Sequence, residues 1–246
     1  MDSALDIAVH RHDQVVVVHL RGLLTVRTAA ELRKVLAKEL TAHGRVVVDL
    51  DGLKVGRESC VTIFPAVLTK CGGWPSAKLA LCRPDDAMVQ ALTARRVSAL
   101  VPFYHLRLEA EAAIDERPPV VRVRRQLPFD IRAAASARRL VRDMCPKWEV
   151  DEGSADTAEF VAGELVSNAV EHACTGVWLT LERGPRGLRV SVRDGSPVGF
   201  PGPLQRSTDP LGQVRGRGLE LVESLTTAWG VDVQPDGNTV WAEIGR

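Results

Sequence analysis

The sequence predicts two successive α/β domains, and three observations carry that prediction. Apolar strand-like runs alternate with helical patterns over residues 5–115. A double proline, Pro118-Pro119, then interrupts them, and from residue 120 a different pattern begins, with helices ahead of a hairpin-like strand pair. Strand-helix alternation implies a sheet covered by helices, while the double proline disfavours helix and its polar flanks, Glu116 and Arg117, suit a linker. The boundaries read as 1–116 for the first domain, 117–121 for the linker and 122–246 for the second.

In the first domain, residues 7–9 and 15–20 read as strands. Residues 28–40 read as a helix with Ala29, Leu32, Leu36 and Leu40 on one side, and 46–50 as a short β-branched strand. A helix over 61–68, a strand over 78–82, a helix over 85–94 with Pro84 near its start, a strand around 100–103 and a short last helix complete it. In the second domain, 120–124 alternates as a strand. Asp130 is placed to cap a helix whose apolar positions, Ala133, Ala137, Leu140, Val141 and Met144, form one stripe ending before Pro146. Asp156 with Glu159 has the spacing of a capping box for a helix over 157–173. Strands at 177–182 and 188–193 flank a Gly-Pro-Arg-Gly turn. Residues 195–215 are too rich in Gly and Pro and too long for a tight turn; such segments are functional loops or disordered. A helix from Leu219 and a strand over 239–244 finish the chain.

Bulk properties exclude several functions. The 246 residues are 45% hydrophobic and 26% charged, as in an ordinary soluble protein. Net charge is +1, with 16 Lys+Arg against 14 Asp+Glu in residues 1–120 and 16 against 17 in the rest, so neither half is a basic nucleic-acid module. Aromatic residues, at 4%, are too scarce for stacking platforms. The basic run Arg122, Arg124, Arg125 reads as a solvated face at a domain boundary. Five cysteines without a C-x-x-C imply no disulfide framework or zinc site. The absence of a leader-like start and of a membrane-length apolar run points to a cytoplasmic protein.

The chemistry-bearing residues lie in the second domain. Glu164, Asn168 and Glu171, in ELVSNAVEHA, are spaced 0, +4 and +7 and share a helix face apart from the apolar stripe. That face is either solvated or a site, in which an Asn carbonyl offers a hard oxygen to magnesium and a carboxylate one turn away accepts a hydroxyl proton. Asp194 ends an alternating strand in VRDGS, as a turn residue or as an acceptor for an exocyclic amine such as that of adenine. Gly216-Arg217-Gly218 precedes an apolar helix, where glycine permits close approach of a phosphate to helix-start N–H groups. No G-K-[ST] follows and no G-x-G-x-x-G follows the first strand, so neither a P-loop nor a dinucleotide fingerprint is present.

In this order the four segments ELVSNAVEHA, VRDGS, GRGLELVE and NTVWA resemble the ATP-binding fold shared by gyrase, the chaperone ATPases and histidine kinases (the GHKL ATPases). Within it they are most similar to the actinobacterial anti-sigma-factor serine/threonine kinases. The resemblance covers residues 120–246 and implies an α/β sandwich with an ATP site on one sheet face. It puts Glu164 at the catalytic base, Asn168 at the magnesium ligand and Asp194, with Gly195 beside it, at the adenine-reading acid. Gly216, Gly218 and Leu219 fall in the phosphate-side loop, Thr239 at the adenine end and residues 199–212 at the lid, with ATP and Mg2+ as cofactors. Ser196 and Val198 stand where the family's first glycine box has glycines, which puts nucleotide affinity and turnover in question. No phospho-acceptor histidine helix precedes the fold, so a histidine kinase is disfavoured, and His172 reads as a helix-end histidine.

The segment VVVDLDGLKVGRESCVTIFPAVLTKCGG of the first domain resembles the central part of the anti-sigma-antagonist (STAS) domain. Where that family has D-S-S-G and a phosphorylated first serine, this chain has Arg57-Glu58-Ser59-Cys60. Glu58 therefore takes the acceptor position and Ser59 is a displaced rival. A glutamate supplies about −1 against roughly −1.5 to −2 for phosphoserine, so the domain reads as a non-switching antagonist module fused to its kinase, or as drift at an exposed turn. The expected function is a Mg-ATP-dependent serine/threonine kinase that binds a sigma factor or a STAS-type antagonist, with homodimerisation suggested by relatives and no role for nucleic acid or membrane. The alternative is a non-catalytic nucleotide-sensing scaffold that sequesters such a partner.

Overall fold

Runs of β-branched residues set both sheets of the protein, for which a computed structural model describes residues 5–12, 14–172, 176–195 and 217–245. The chain divides into two units, Met1–Val123 and Arg124–Arg246.

In the first unit, β1 (Asp6–His12) pairs antiparallel with β2 (Val15–Leu24), which runs parallel to β3 (Arg45–Asp49) and, at its far end, to the short β4 (Leu53–Val55). β5 (Lys78–Cys82) and β6 (Phe103–Tyr104) continue the sheet in the order β1-β2-β3-β5-β6. Parallel neighbours need crossover connections, and α1 (Val26–His43), α2 (Ile63–Lys70) and α3 (Asp86–Ala94) lie in them, while α4 (Arg107–Ala112) follows β6. Successive strand residues point to opposite faces. Val46, Val48, Leu79 and Leu81 pack with Leu32 and Leu36 of α1 and Phe64 of α2. Val47, Ala80 and Cys82 meet Ala110 of α4 and Ile114 on the other side. Burial on both faces is why these strands read as unbroken apolar runs.

Three elements of this unit differ from expectation. α1 begins two residues before the expected start, because Thr25 caps it: its Oγ1 accepts from the Thr28 N–H at 3.2 Å, and Thr28 Oγ1 accepts from the Thr25 N–H at 2.8 Å. Ahead of α2, residues Glu58–Thr62 form a 3-10 turn. The strand expected around 100–103 is mostly loop after a 3-10 turn at Val97–Ala99; Leu100 and Val101 are buried without pairing, and only Phe103–Tyr104 is strand. A short apolar run reports burial and not backbone conformation.

The second unit begins within β7 (Val121–Leu127) and continues through α5 (Ala133–Met144), α6 (Glu152–His172), β8 (Val177–Gly184), β9 (Gly187–Arg193), α7 (Arg217–Leu225), β10 (Ala228–Gln234) and β11 (Gly237–Ile244). The sheet order is β10-β11-β9-β8-β7. The predicted stripe of α5 is buried throughout, as are Ala158, Val161, Ala162, Leu165, Val166 and Ala169 of α6. They cover the face made by Leu179 and Leu181 of β8, Val190 and Val192 of β9, and Val240 and Ala242 of β11. Arg142 of α5 holds Glu159 of α6 through two bonds of 2.8 and 2.7 Å. Both side chains are partly in water, so the pair adds little to stability.

Both expected caps are corrected. Arg132, not Asp130, occupies the N-cap of α5; the Asp130 carboxylate accepts from the Arg132 N–H at 2.8 Å, two residues away. α6 starts five residues ahead of the expected start, where Asp151 accepts from the Ser154 N–H at 2.9 Å and the Ala155 N–H reaches the Asp151 carbonyl at 2.9 Å. Asp156 is therefore inside the helix. Two Asp-based start signals, Asp151 and Asp156, lie within two turns of each other, and the earlier one is used.

Candidate nucleotide site

The apolar stripe of α6 fixes where its polar residues go. With Val161, Ala162 and Leu165 buried against the sheet, Glu164 and Asn168 stand one turn apart at the edge of the buried surface, both half-buried, while Glu171 is exposed. The Asn168 Nδ2 atom is buried and has no hydrogen-bond partner among the described residues. A buried amide group without a partner costs about 1–3 kcal/mol, so a ligand that engages this side chain recovers that cost.

α7 brings the second part of the site. Val222 of α7 is buried, and the helix packs on α6. At its first turn Gly218 lies against Glu164: a Cβ there would overlap Glu164 Oε2 and stand 3.2 Å from Cδ. The absence of a side chain at Gly218 is thus what admits the carboxylate to the start of α7, where helix N–H groups favour negative charge. Leu219 follows, half-buried. Gly216, the expected lid over 199–212, and Ser196 and Val198 lie outside the described residues.

The third part is at the end of β9. Asp194 is 8% exposed; its N–H donates to the Asn238 carbonyl at 3.0 Å, and its Oδ1 accepts from the Asn238 N–H at 3.4 Å. Gly237 enforces this contact. Its φ is +138°, and a Cβ would overlap the Asp194 carbonyl oxygen and stand 3.0 Å from the Gly195 Cα. Both Asp194 and Gly195 are thereby tied to the start of β11.

Thr239 is not brought to this group. It pairs in register with Arg193 and so lies on the sheet face away from α6, whereas Asn238, 2% exposed, shares the covered face with Val240 and Ala242. Asn238 was missed in the sequence. The two-residue alternation through Asn238, Val240, Ala242 and Ile244 is the signal that would have found it.

The assembled groups can accept a proton at Glu164, offer the Asn168 amide as a ligand and offer the buried Asp194 as an acceptor beside Asn238. Among the described residues no three His, Cys, Asp or Glu side chains converge on a metal position. A magnesium ion would therefore rest on the Asn168 carbonyl together with phosphate and water oxygens, a donor set that magnesium accepts. Burial pushes the Cys82 thiol up to about 12 and that of Cys145 up to about 11, so neither offers a thiolate near neutral pH.

In the first unit, Glu58 and Ser59 are both exposed in the 3-10 turn ahead of α2. Glu58 Oε2 is 3.8 Å from Arg95 Nε, and the Ser59 carbonyl accepts from the Thr62 hydroxyl at 2.7 Å. A network that the sequence did not reveal closes the carboxyl ends of β3 and β5. Asp49, 1% exposed, takes Arg83 Nε at 2.9 Å, His19 Nδ1 at 2.8 Å and the Asp51 N–H at 3.2 Å. Burial acts to raise the Asp49 carboxyl, but the Arg83 and Asp51 hydrogen bonds and the nearby charges outweigh it and hold the group below its ordinary range.

Residues 127–244 match the histidine kinase-like ATPase domain family. No curated protein matches the chain. Among solved structures, the chain is similar to an anti-sigma factor antagonist from Mycobacterium paratuberculosis, at 20% identity and TM-score 0.41 over 47% of this chain and 98% of that one. It is similar to the RsbU and RsbW domains of a Mycobacterium tuberculosis protein, at 19% identity and TM-score 0.37 over 50% of this chain and 32% of that one. A third similarity is to the phosphorylated form of the Bacillus cell fate determinant SpoIIAA, at 11% identity and TM-score 0.34 over 45% and 99%.

Proposed function

We propose, from the premise that residues 127–244 belong to the histidine kinase-like ATPase domain family, that this chain is a Mg-ATP-dependent protein serine/threonine kinase of the anti-sigma-factor type, acting in partner switching. The observation that carries the reading is the meeting of Glu164 with Gly218 at the start of α7, one helical turn from the unpartnered Asn168 amide. The base on α6 and the anion-favouring start of α7 come from positions 164 and 218 of the sequence, and a solvated polar face gives no reason for them to converge.

In this reading Glu164 orients the acceptor hydroxyl and takes its proton, a role worth about 10²- to 10⁴-fold in rate. Asn168 holds the metal through its carbonyl, the side-chain amide being free to present either end. N–H groups at the start of α7 receive phosphate oxygens, and Asp194, fixed by Asn238, accepts from the adenine amine. Bound magnesium would neutralise charge on the phosphates, as is general in phosphoryl transfer. The first unit is the STAS-like partner module in cis. Glu58 keeps a fixed single negative charge at the acceptor position, and the cognate partner in trans is a sigma factor or a STAS-type antagonist. Among the described residues no helix is long and apolar enough to cross a membrane.

The test is Glu164→Ala in the full chain, with Mg-ATP binding by calorimetry and phosphotransfer to captured STAS or sigma partners by mass spectrometry. Binding is retained and transfer drops by at least about 10²-fold. Transfer at the wild-type rate overturns the base assignment. A wild-type chain that binds no Mg-ATP supports the nucleotide-free scaffold, the reading that Ser196 and Val198 favour.

A further inference from the structure

The sheet face of the second unit that α5 and α6 leave uncovered carries a basic hollow that the nucleotide reading does not use. Strand register aligns its residues: Thr180 pairs with Ser191, and Arg193 pairs with both Trp178 and Thr239. Together with Arg124 of β7 they line a depression of about 220 Å³. Among the described residues its polar lining is two guanidiniums and three hydroxyls, with no carboxylate.

The two arginines are not held by each other's partners. Arg193 gives one nitrogen to Asp236 at 2.9 Å and another to Gln234 at 2.7 Å, on its outer side. Arg124 stacks over the Trp178 ring at 4.6 Å and makes no ion pair among the described residues. Stacking fixes the guanidinium plane while leaving its edge of N–H donors free. Burial first, and then the charge of Arg193, push Arg124 below its ordinary range, and Asp236 pairs with Arg193 alone.

We propose that this hollow is a binding site for a phosphoryl group. Two guanidiniums approaching from different strands, with Thr180, Ser191 and Thr239 between them, supply donors from several directions. A tetrahedral group with three terminal oxygens can satisfy these together; a planar carboxylate, with two oxygens, suits one bidentate arginine. The volume is below the range for drug-sized ligands and suits one such group. The hollow is independent of the Glu164 site, because Ser191, Arg193 and Thr239 alternate with Val192, Asp194 and Asn238 and point away from them.

The experiment is titration of the full chain with inorganic phosphate at constant ionic strength, followed by the arginine Nε–H signals in nuclear magnetic resonance. The Arg124 and Arg193 signals shift saturably. Arg124→Ala weakens the binding about ten- to a hundredfold, as expected for charge-assisted hydrogen bonds. Thr239→Val, which keeps both charges, weakens it about two- to tenfold, and Arg139→Ala, on exposed α5, leaves it unchanged. O-phosphoserine as a second titrant shows whether an ester is preferred to the free ion, and either order of affinity upholds the site. The proposal is overturned by the absence of saturable shifts, by undiminished binding in Arg124→Ala, or by acetate producing the same shifts at the same concentration.

Discussion

Gly218→Ala isolates the contact on which the nucleotide reading rests. In the middle of a helix the change from glycine to alanine stabilises by up to about 1 kcal/mol. Here the added methyl would overlap Glu164 Oε2. The obstructing atom is the far end of a flexible side chain, so the carboxylate can retreat by roughly 1 Å to reach ordinary contact distance. Holding it off its preferred rotamer costs about 0.5–1.5 kcal/mol, so net stability changes by less than about 1 kcal/mol and the melting temperature moves by only a few degrees. Activity does not escape in the same way. A 1 Å displacement of a positioned group costs about 10²-fold, and loss of the base altogether about 10²- to 10⁴-fold. The assay is a double-mutant cycle of Gly218→Ala and Glu164→Ala, with thermal melts and single-turnover phosphotransfer. In the Glu164→Ala background the methyl has no carboxylate to displace, so whatever rate loss it still causes there reports the approach of phosphate to the start of α7 and is smaller than its loss in the wild type. Rate losses that add across the two changes, or a Gly218→Ala protein with wild-type transfer, refute the contact as the seat of the chemistry.

Gly237→Ala puts a side chain at φ +138° against the Asp194 carbonyl, and thermal or urea unfolding should show a loss of at least about 1–3 kcal/mol, with weakened nucleotide binding through Asp194. The Asp49 carboxyl has its folded value below the ordinary 3.8, so its contribution is complete above about pH 4 and disappears as pH falls through the folded value. Urea midpoints from pH 6 to 2 should drop on that acid arm in the wild type and much less in Asp49→Asn, and Arg83→Ala should cost about 2–4 kcal/mol at neutral pH. Phosphopeptide mapping after incubation with Mg-ATP should find Ser59 unmodified; phosphate there would end the non-switching reading of Glu58.

The site was legible to the degree that its residues lie close together in sequence. Glu164 and Asn168 could be placed on one face because helical spacing is fixed, and the α5 stripe could be predicted residue by residue for the same reason. Thr239, expected at the adenine end, takes the sheet face away from α6 because side chains alternate along the strand, and Asn238 takes the covered face. The start of α6 was misplaced because Asp151 and Asp156 are equivalent as local signals; only the hydrogen bond from Ser154 distinguishes them.

By itself the sequence determined two α/β units, their helices and most strands, and the α6 pair of carboxylate and amide, since hydrophobic period and capping chemistry act over a few residues. Tertiary structure decided which distant residues meet: Glu164 against Gly218, Asp194 against Gly237 and Asn238, Asp49 among Arg83 and His19, and Arg124 beside Arg193 across a shared hollow. Such meetings depend on strand register and helix packing, which arise from burial over the whole unit and leave no local mark on the residues they join.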